Sequence, residues 1–515
     1  MKLVARFSLM IAVFFGVDKV LGMVRQLLVA RQFQLSYELD VFNASNNIPD
    51  LLSSLISGGA LGIALIPVLA EYLQKRGRKD AWALFSQIIN FAFLVTAGLS
   101  LIIVFLAPWL MEHVIAPGFP PEQKLQAVRL MRLDLIAILI FSISGLVMAG
   151  LQANQHFLLP ALAPALYNIG QIFGAAVLAP DQGYQLGPIT LPAFGLGIEG
   201  LVYGVILGAL LHLLIQVPGL IKYEFKWQPF IRFRDAGVQQ VLKLLGPRVL
   251  TMFFIQLFFI VRDNLASRLG EGSVTALNLG WFIMQVPETL LGTAFAIALL
   301  PTISEMFARG EMDNFKTSIN SAVKTMLALT LPAALILAVV IKPLVQLAFD
   351  YDAAGTDMVV LATRIYLAGL AGHALLEIAS RTFYAQKNAI MPLIAAAINA
   401  AMYIVLAVLL MQCLGFAGIA TANSISFTFE ALLLLYFLNR KYPGVLRVRK
   451  TLLRVVSGAV LAGVVSFLIL NLPFNSVLMA VAGAAAGLVV CVPFILPEIR
   501  LLLALGTTEK PAYAN

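Results

Sequence analysis

Charge is what this chain has least of. Only 12% of its 515 residues are Asp, Glu, Lys or Arg against 60% hydrophobic, and the mean hydropathy is +0.92. So little polar surface cannot cover a water-soluble domain of this size, which excludes a soluble fold and calls for a membrane one. Cysteine is nearly absent as well. Cys413 and Cys491 lie in separate apolar runs with no metal-ligating neighbour, which argues against a disulfide framework or a thiolate metal centre and leaves two packing residues. Long polar segments are missing too, the widest gap between apolar runs being 218–240. A membrane enzyme acting on lipid-linked sugars usually carries its catalytic acids on a sizeable extramembrane loop, and none is present. P-loop, hydrolase and metal-helix patterns do not occur. The single Gly195-x-Gly197-x-x-Gly200 match opens a membrane helix instead of a strand-to-helix turn, so it fails as a dinucleotide motif and is expected to permit close helix packing. No catalytic residue and no metal ligand is assigned, and the chain does not read as an enzyme.

Apolar runs dominate what is there. Spanning hydrocarbon takes roughly 20 apolar residues, and counting such runs predicts an all-α integral membrane protein of about fourteen transmembrane helices. The first run follows Lys2 and Arg6, is about twice the length of a signal-peptide core, and is expected to remain as the first helix. The net charge of +9 does not point to nucleic acid, because the basic residues alternate between the ends of apolar runs and form no continuous face. They concentrate in the gaps 75–79, 222–234, 309–316 and 440–454, each after an even-numbered helix, whereas 350–357 is poor in them. Both termini are therefore expected in the cytoplasm.

The gap 218–240 mixes aromatic and basic residues, among them Tyr223, Trp227, Phe230 and Arg232, as expected of a segment in the membrane surface. It also separates two halves that repeat each other in order. Pro49-Asp50 before Leu51-Leu52 matches Pro287-Glu288 before Leu290-Leu291; Ala64-Leu65-Ile66-Pro67 with Glu71 matches Ala298-Leu299-Leu300-Pro301 with Glu305. Ala153 and Pro160 match Ala385 and Pro392, and Gly197-Ile198 matches Gly418-Ile419. Two parallel six-helix repeats plus two C-terminal helices follow, an organisation found in transporters that alternate access between halves. The expected divisions are an N-lobe (1–217), a cytoplasmic amphipathic linker (218–240), a C-lobe (241–440), helices 13 and 14 (441–503) and a cytoplasmic tail (504–515).

Polar residues inside the apolar runs are the candidates for function. Asp40, Asn43, Asn47, Asp50 and Ser54 fall at i, i+3, i+7, i+10 and i+14 of the second helix, within about 80° of arc at 3.6 residues per turn. The repeat carries the first four onto Asn278, Trp281, Gln285 and Glu288 at the same spacing. Such ridges face one another, other helices or a water-filled cavity; interhelical hydrogen bonds are the plain reading and a hydrated central cavity the sharper one. The first helix adds Asp18, Lys19 and Arg25, with Gly22 between the two cations able to bend them to one side. Arg262 and Asp263 sit deep in the seventh helix, which is expected to begin after the Gly246-Pro247 pair. Local ion pairing or snorkelling is the simpler alternative for these charges. In the tenth helix His373, Glu377 and Arg381 recur every four residues, as a static hydrogen-bonded staple or a proton relay.

These residues resemble the MurJ (MviN) lipid II flippases of the multidrug/oligosaccharidyl-lipid/polysaccharide exporter superfamily, over roughly residues 1 to 500. The family's Ser-Arg-x-Leu-Gly-x-x-Arg is similar to Asp18-Lys19-Val20-Leu21-Gly22-Met23-Val24-Arg25, and its second-helix aspartate falls on Asp40. Pro49-Asp50-Leu51-Leu52, Ile66-Pro67-Val68-Leu69-Ala70-Glu71, Leu300-Pro301-Thr302-Ile303-Ser304 and Phe383-Tyr384-Ala385 with Pro392 also fit. The resemblance implies a fourteen-helix protein of the bacterial cytoplasmic membrane that flips undecaprenyl-pyrophosphate-linked peptidoglycan precursor outward. Cavity cations would hold the pyrophosphate, helices 13 and 14 would shape a groove for the lipid tail, and membrane lipids and cell-wall synthesis proteins would be the partners. Substrate contact is expected from Lys19, Arg25, Asp40, Asn43, Asn47, Arg262, Asp263, Gln285 and Glu288, and ion or proton coupling from His373, Glu377 and Asn399.

The chain departs from the family's pattern where Ser53 and Ser54 replace basic residues after the Pro-x-Leu-Leu motif, where Phe282 occupies an arginine position, and where Tyr403 replaces a carboxylate associated with sodium. Arg262 stands where some members have an acid or amide, as a relocated cation. No cofactor is expected, only a membrane potential or an ion gradient: with the interior negative, each charge moved across 100 mV gains about 2.3 kcal/mol, which favours outward movement of an anionic headgroup. The alternative is export of another polyprenyl-linked saccharide or an amphipathic small molecule.

Overall fold

A computed structural model describes residues 2–56, 60–232 and 234–507. Apart from β1 (Gln185–Leu186) and β2 (Ile189–Thr190), a two-stranded antiparallel pair, the regular elements among the described residues are helical. Ten helices are long and apolar enough to cross a bilayer, and Ala353–Ala368 with Leu370–Ala385, bent by 42°, makes an eleventh if taken as one span. The sequence count of fourteen is thus reached only in its coarser form, a many-helix membrane fold. The segment after the first helix is cut into α2 (Tyr37–Ser45), α3 (Asn47–Ile56) and α4 (Ala60–Lys75), and the helix carrying Arg262 and Asp263 falls outside the apolar set.

The chain forms two compact units, Met1–Val274 and Thr275–Asn515. In the first, α1 (Lys2–Phe33) packs on α7 (Leu158–Phe173), and α2 to α4 pack on α6 (Pro121–Ala153). The core gathers Leu61, Leu65, Leu69, Trp82, Phe85 and Val241 from α4, from α5 (Arg78–Leu110) and from α10 (Ala236–Ala266). A π-helical turn, Gly174–Leu178, ends α7 where α8 (Ile198–Leu214) crosses it. Of the three glycines expected to permit close packing only Gly200 does so, a Cβ there standing 2.5 Å from Ala179 N, whereas Gly197 has no neighbour within 4 Å; Gly174, outside that motif, makes a second close approach, 2.6 Å from Gly204 Cα.

Two features of α10 differ from the sequence reading. It begins at Ala236, capped by Asp235 Oδ1 accepting from Gly237 N at 2.8 Å, and continues through Gly246-Pro247 instead of starting after them. It also packs on α3 and α4, within the first unit, so the packing boundary at 274 lies one span beyond the sequence boundary at 240. The amphipathic pattern of 218–240 becomes a short helix, α9 (Val217–Lys222), followed by an extended strap held on α5. Trp82 Nε1 donates to Tyr223 O at 2.9 Å, Asn90 Nδ2 to Gln228 O at 2.7 Å, and Arg232 N to Gln87 Oε1 at 2.9 Å. Extended backbone has spare donors and acceptors, and α5 supplies side chains that satisfy them.

In the second unit, α11 (Ser273–Pro287) runs through a π-helical turn, Glu288–Thr293, into α12 (Ala294–Ala308). The 38-residue α13 (Met312–Phe349) is the central post, contacted by α14 (Ala353–Ala368), α15 (Leu370–Ala385) and the last two helices, α18 (Arg449–Leu470) and α19 (Ser476–Thr507). Between them α16 (Ile390–Leu414) pairs with α17 (Phe416–Lys441). Pro67 inside α4 and Pro301 inside α12 occupy the positions that the sequence repeat matches, so a helix-interior proline recurs in both units. Of the expected tail, 504–507 is the end of α19; the rest lies outside the described residues.

Candidate functional site

Among the described residues, the most buried ionic group of the first unit is Asp263, 1% exposed. Its Oδ1 accepts from Arg262 Nε at 2.8 Å and its Oδ2 from Asn47 Nδ2 at 2.8 Å, while the Arg262 guanidinium lies 5.1 Å from the centroid of the Phe259 ring. The local Arg-Asp pair, one of the alternatives left open by the sequence, forms. Burying a carboxylate and a guanidinium costs several kcal/mol each, and mutual pairing plus an amide donor offsets that cost. One helical turn from this node on α10, Ser267 Oγ accepts from Gly118 N, and beyond it Gly272 N donates to Asp40 Oδ2 at 2.7 Å. The second-helix stripe is therefore used unevenly. Asp40 and Asn47 are buried against α10 and the turn that follows it, Asn43 and Ser54 are half-buried, and Asp50 is exposed.

Asp50 has charged company. Arg25 acts on it from α1, and its own charge is felt at Asp134 on α6 and at the Tyr167 hydroxyl on α7. Arg25 is half-buried and donates through Nη1 to Gln171 Oε1 at 3.1 Å. Asp18 does not pair with Lys19; Asn168 Nδ2 donates to its Oδ1 at 2.8 Å, and Lys19 is exposed. Arg25 and Lys19 thus differ in setting, one locked to α7 and one open, although the sequence placed both on the same footing. Asp134, 5% exposed in the middle of α6, was not singled out from the sequence. A lone carboxylate in an apolar run is the signal that would have found it.

In the second unit, the π-helical turn carries Glu288, whose carboxylate accepts from Thr293 Oγ1 at 3.0 and 3.3 Å and feels the charge of Arg381. A Cβ on Gly292 would stand 2.9 Å from Glu288 Oε1 and 3.0 Å from Ala374 Cα, so only glycine lets the turn approach α15 here. Gln285 is exposed, and Trp281 meets the rings of Tyr366 and His373 edge-on at 5.6 and 5.3 Å. The expected ladder on α15 divides. Glu377 pairs with Arg381, whereas His373 Nε2 lies 3.3 Å from Asn423 Oδ1 and is enclosed by Trp281 and Phe427. Asn399, 1% exposed, donates from Nδ2 to Glu430 Oε2 at 2.5 Å, and its Oδ1 is buried without a partner. Glu430, 5% exposed on α17, is a second carboxylate that the sequence reading passed over. Among the described residues no group of three or more His, Cys, Asp or Glu side chains is placed to hold a metal ion.

Buried, mutually neutralised charges along membrane helices, with a few exposed polar side chains left over, suit passage of a polar headgroup better than bond chemistry. Comparison with known proteins gives this a family. The profile of the family described as lipid II flippase MurJ matches residues 29–482. The chain belongs to the lipid II flippase MurJ family. It is 30% identical over 380 residues to the lipid II flippase MurJ of Burkholderia cenocepacia, covering 72% of this chain and 71% of that one. The probable lipid II flippase MurJ of Thermotoga maritima is 27% identical over 416 residues, 80% of each chain. Among solved structures, lipid II flippase MurJ in an inward closed conformation superposes with a TM-score of 0.79 at 24% identity, over 96% of this chain and all of that one. An inward-facing multidrug resistance MATE family transporter of the MOP superfamily follows the same fold, with a TM-score of 0.70 at 14% identity over 83% and 95%.

For a MurJ family member, the charge arrangement has one notable property. Of the three cations expected to meet the substrate, Arg262 is 5% exposed and tied to Asp263, Arg25 is half-buried, and only Lys19 is exposed. The family assignment and the helical membrane fold were both legible in the motifs. The division of the polar stripe between α10 and open space was not.

Proposed function

We propose that this protein flips lipid II, the polyprenyl-pyrophosphate-linked precursor of peptidoglycan, from the inner to the outer leaflet of the bacterial cytoplasmic membrane. Family membership over residues 29–482 is the observation that carries the reading, and the charged residues held inside the first unit support it. Arg25 and Lys19 are the cations available to a pyrophosphate, with Asp40, Asn47 and Asp263 shaping the wall and Arg262 fixing that wall more than contacting the substrate. In the second unit Gln285 and Glu288 face the same role, and His373, Glu377 and Asn399 are the coupling candidates, to which Glu430 is added as the partner of Asn399.

The finer topology is part of the proposal. Adding α1, the broken segment α2 to α4, and α10 to the ten apolar spans and the bent pair makes fourteen crossings. An even number puts both termini on one side, and the basic gaps put that side in the cytoplasm. Alternating access needs no covalent step, so the protein works as a transporter driven by the membrane potential or an ion gradient. The lipid tail would follow α18 and α19, whose buried Glu498 is held by Arg454 at 2.5 Å.

Complementation of a flippase-depleted strain, with headgroup translocation followed in vesicles of defined lipid, tests the reading. Restored growth and transbilayer movement of lipid II are expected. Movement of a different polyprenyl-linked saccharide without lipid II would transfer the assignment to the neighbouring exporter class.

A further inference from the structure

Arg132 on α6 and Arg364 on α14 are both exposed, and each donates its Nε proton to a main-chain carbonyl of the preceding long helix: Val104 O at 3.0 Å and Ala338 O at 2.7 Å. The two sites are repeat mates. Arg132 and Arg364 differ by 232 in number, as Ala153 and Ala385 do, and Val104 and Ala338 differ by 234, as Ala64 and Ala298 do. Each arginine lies eleven residues after the first residue of its helix, Pro121 or Ala353. Each carbonyl lies eleven residues before the end of its own, Ile115 or Phe349.

Their surroundings are lipid-like. Leu101 (60% exposed), Phe105 (75%) and Ile136 (45%) flank Arg132, and Leu361 (44%), Ile425 (46%) and Leu432 (56%) flank Arg364. Ion pairs lie nearer the start of each helix: Arg129 with Glu199 at 3.1 Å one turn before Arg132, and Lys342 with Asp357 at 2.7 Å two turns before Arg364. In the topology proposed above, each arginine falls in the outer-leaflet half of its own span, α6 or α14 with α15, eleven residues in from the outward end. A guanidinium has five N–H groups, and the carbonyl takes one. No carboxylate among the described residues pairs with either arginine.

At Arg364 the space beside the guanidinium is a cavity of about 660 Å³ between α14 and α17, open to the surface. Thr421 and Thr428 on its wall donate to carbonyls of their own helix, and Ser424 donates to Ile365 O, so the arginine holds the unspent donors. A wall of that kind accepts an acyl chain and offers one phosphate-sized anion site; a saccharide or a peptide would need more donors.

We infer that Arg132 and Arg364 form a repeat-related pair of binding sites for anionic glycerophospholipids of the bilayer. The forked Nη groups take the phosphodiester and the apolar flank takes a chain. Bound lipid thus supplies the counter-charge that the protein withholds at both positions, one lipid per unit.

Native mass spectrometry of the full-length protein, released from nanodiscs of mixed phosphatidylglycerol and phosphatidylcholine, tests this. Wild type is expected to retain phosphatidylglycerol about tenfold over phosphatidylcholine, the equivalent of one charge-assisted pair. Arg132→Gln and Arg364→Gln, which keep a donor for the carbonyl, each lose one bound phosphatidylglycerol, and Arg→Lys at either site keeps it. Undiminished retention in the folded Gln variants, or equal retention of both lipids by wild type, overturns the proposal. If a Gln variant does not fold, the comparison passes to the Lys variants, in which loss of phosphatidylglycerol overturns it.

Discussion

Asn47 and Asp263, 216 positions apart in sequence, meet side chain to side chain at 2.8 Å and fasten α3 to α10. The same carboxylate holds Arg262, so a single acid balances a buried cation and ties two helices. This fixes a hierarchy among residues that look equivalent in the sequence: Asp263 and Arg262 are buried and tied to each other, whereas Arg25 is half-buried and Lys19 exposed, as the proposed substrate role requires.

That hierarchy predicts different outcomes at the two arginines. Arg25→Ala should leave expression and thermal stability close to wild type while abolishing complementation of a flippase-depleted strain. Arg262→Ala should lower the amount of folded protein, because it strands a buried carboxylate at a cost of about 3–5 kcal/mol. Fluorescence size-exclusion profiles read alongside complementation separate the two effects; normal complementation by Arg25→Ala would remove it from the substrate site.

Asn47→Leu removes one buried hydrogen bond to a charged group and should cost about 1.5–3 kcal/mol of stability. Asn47→Asp sets a like charge against Asp263 and should cost more at neutral pH. Thermal unfolding of the detergent-solubilised protein ranks them, and equal stability of the two variants would show that the α3 to α10 link contributes little.

Glu430 lies in a lipid-spanning helix with Asn399 as its hydrogen-bond partner, so a coupling role has a direct test. Glu430→Gln keeps the shape and is expected to fold, yet to lose the dependence of flipping on whichever gradient drives it. Vesicles with sodium, proton and potential imposed separately give the readout. Wild-type gradient dependence in Glu430→Gln excludes this carboxylate.

His156 lies in the connection between α6 and α7, with its ring edge-on to Tyr223 at 5.7 Å and its Nε2 buried without a partner. Burial, and then the nearby charge of Lys222, push its pKa below the ordinary histidine range. Above about pH 6.5 the ring is neutral in folded and unfolded chains alike. As pH falls below that value the unfolded chain takes up the proton first, so the stability contribution is lost as pH drops through the lowered pKa of the folded state. His156→Phe should therefore flatten the acid side of the stability profile below about pH 6.5 and leave the neutral side unchanged. Melting temperatures across that window check it.

Arg454 donates to both oxygens of Glu498 at 2.5 Å, and Gly458 lies where a Cβ would stand 2.5 Å from Phe494 Cβ. Gly458→Leu should separate α18 from α19 and lower flipping, with the first unit still folded. Limited proteolysis that cuts only beyond residue 441, together with reduced translocation, is the expected result.

Much was legible in the chain itself. Scarcity of charge required a membrane, the order of apolar and basic segments required many helices, and Pro67 and Pro301, matched in the repeat, both lie inside helices. The Arg132 and Arg364 carbonyl contacts extend that repeat to side-chain geometry. The polar stripe from Asp40 to Asp50 was visible as a spacing, but spacing cannot say which neighbour each side chain meets. Asp134 and Glu430 were visible as lone carboxylates in apolar runs and were passed over.

The sequence by itself determined the solvent and the secondary structure, because hydrocarbon accepts only helices and closed barrels, whose backbone bonds are satisfied internally, and runs of about 20 apolar residues fit a spanning helix and not a barrel strand. Tertiary structure decided which charges are spent and which are free. That outcome depends on partners far apart in the chain: Asn47 with Asp263, Arg25 with Gln171, Asn399 with Glu430. Electrostatic energy falls with distance in space and takes no account of distance along the chain, so packing alone could settle it.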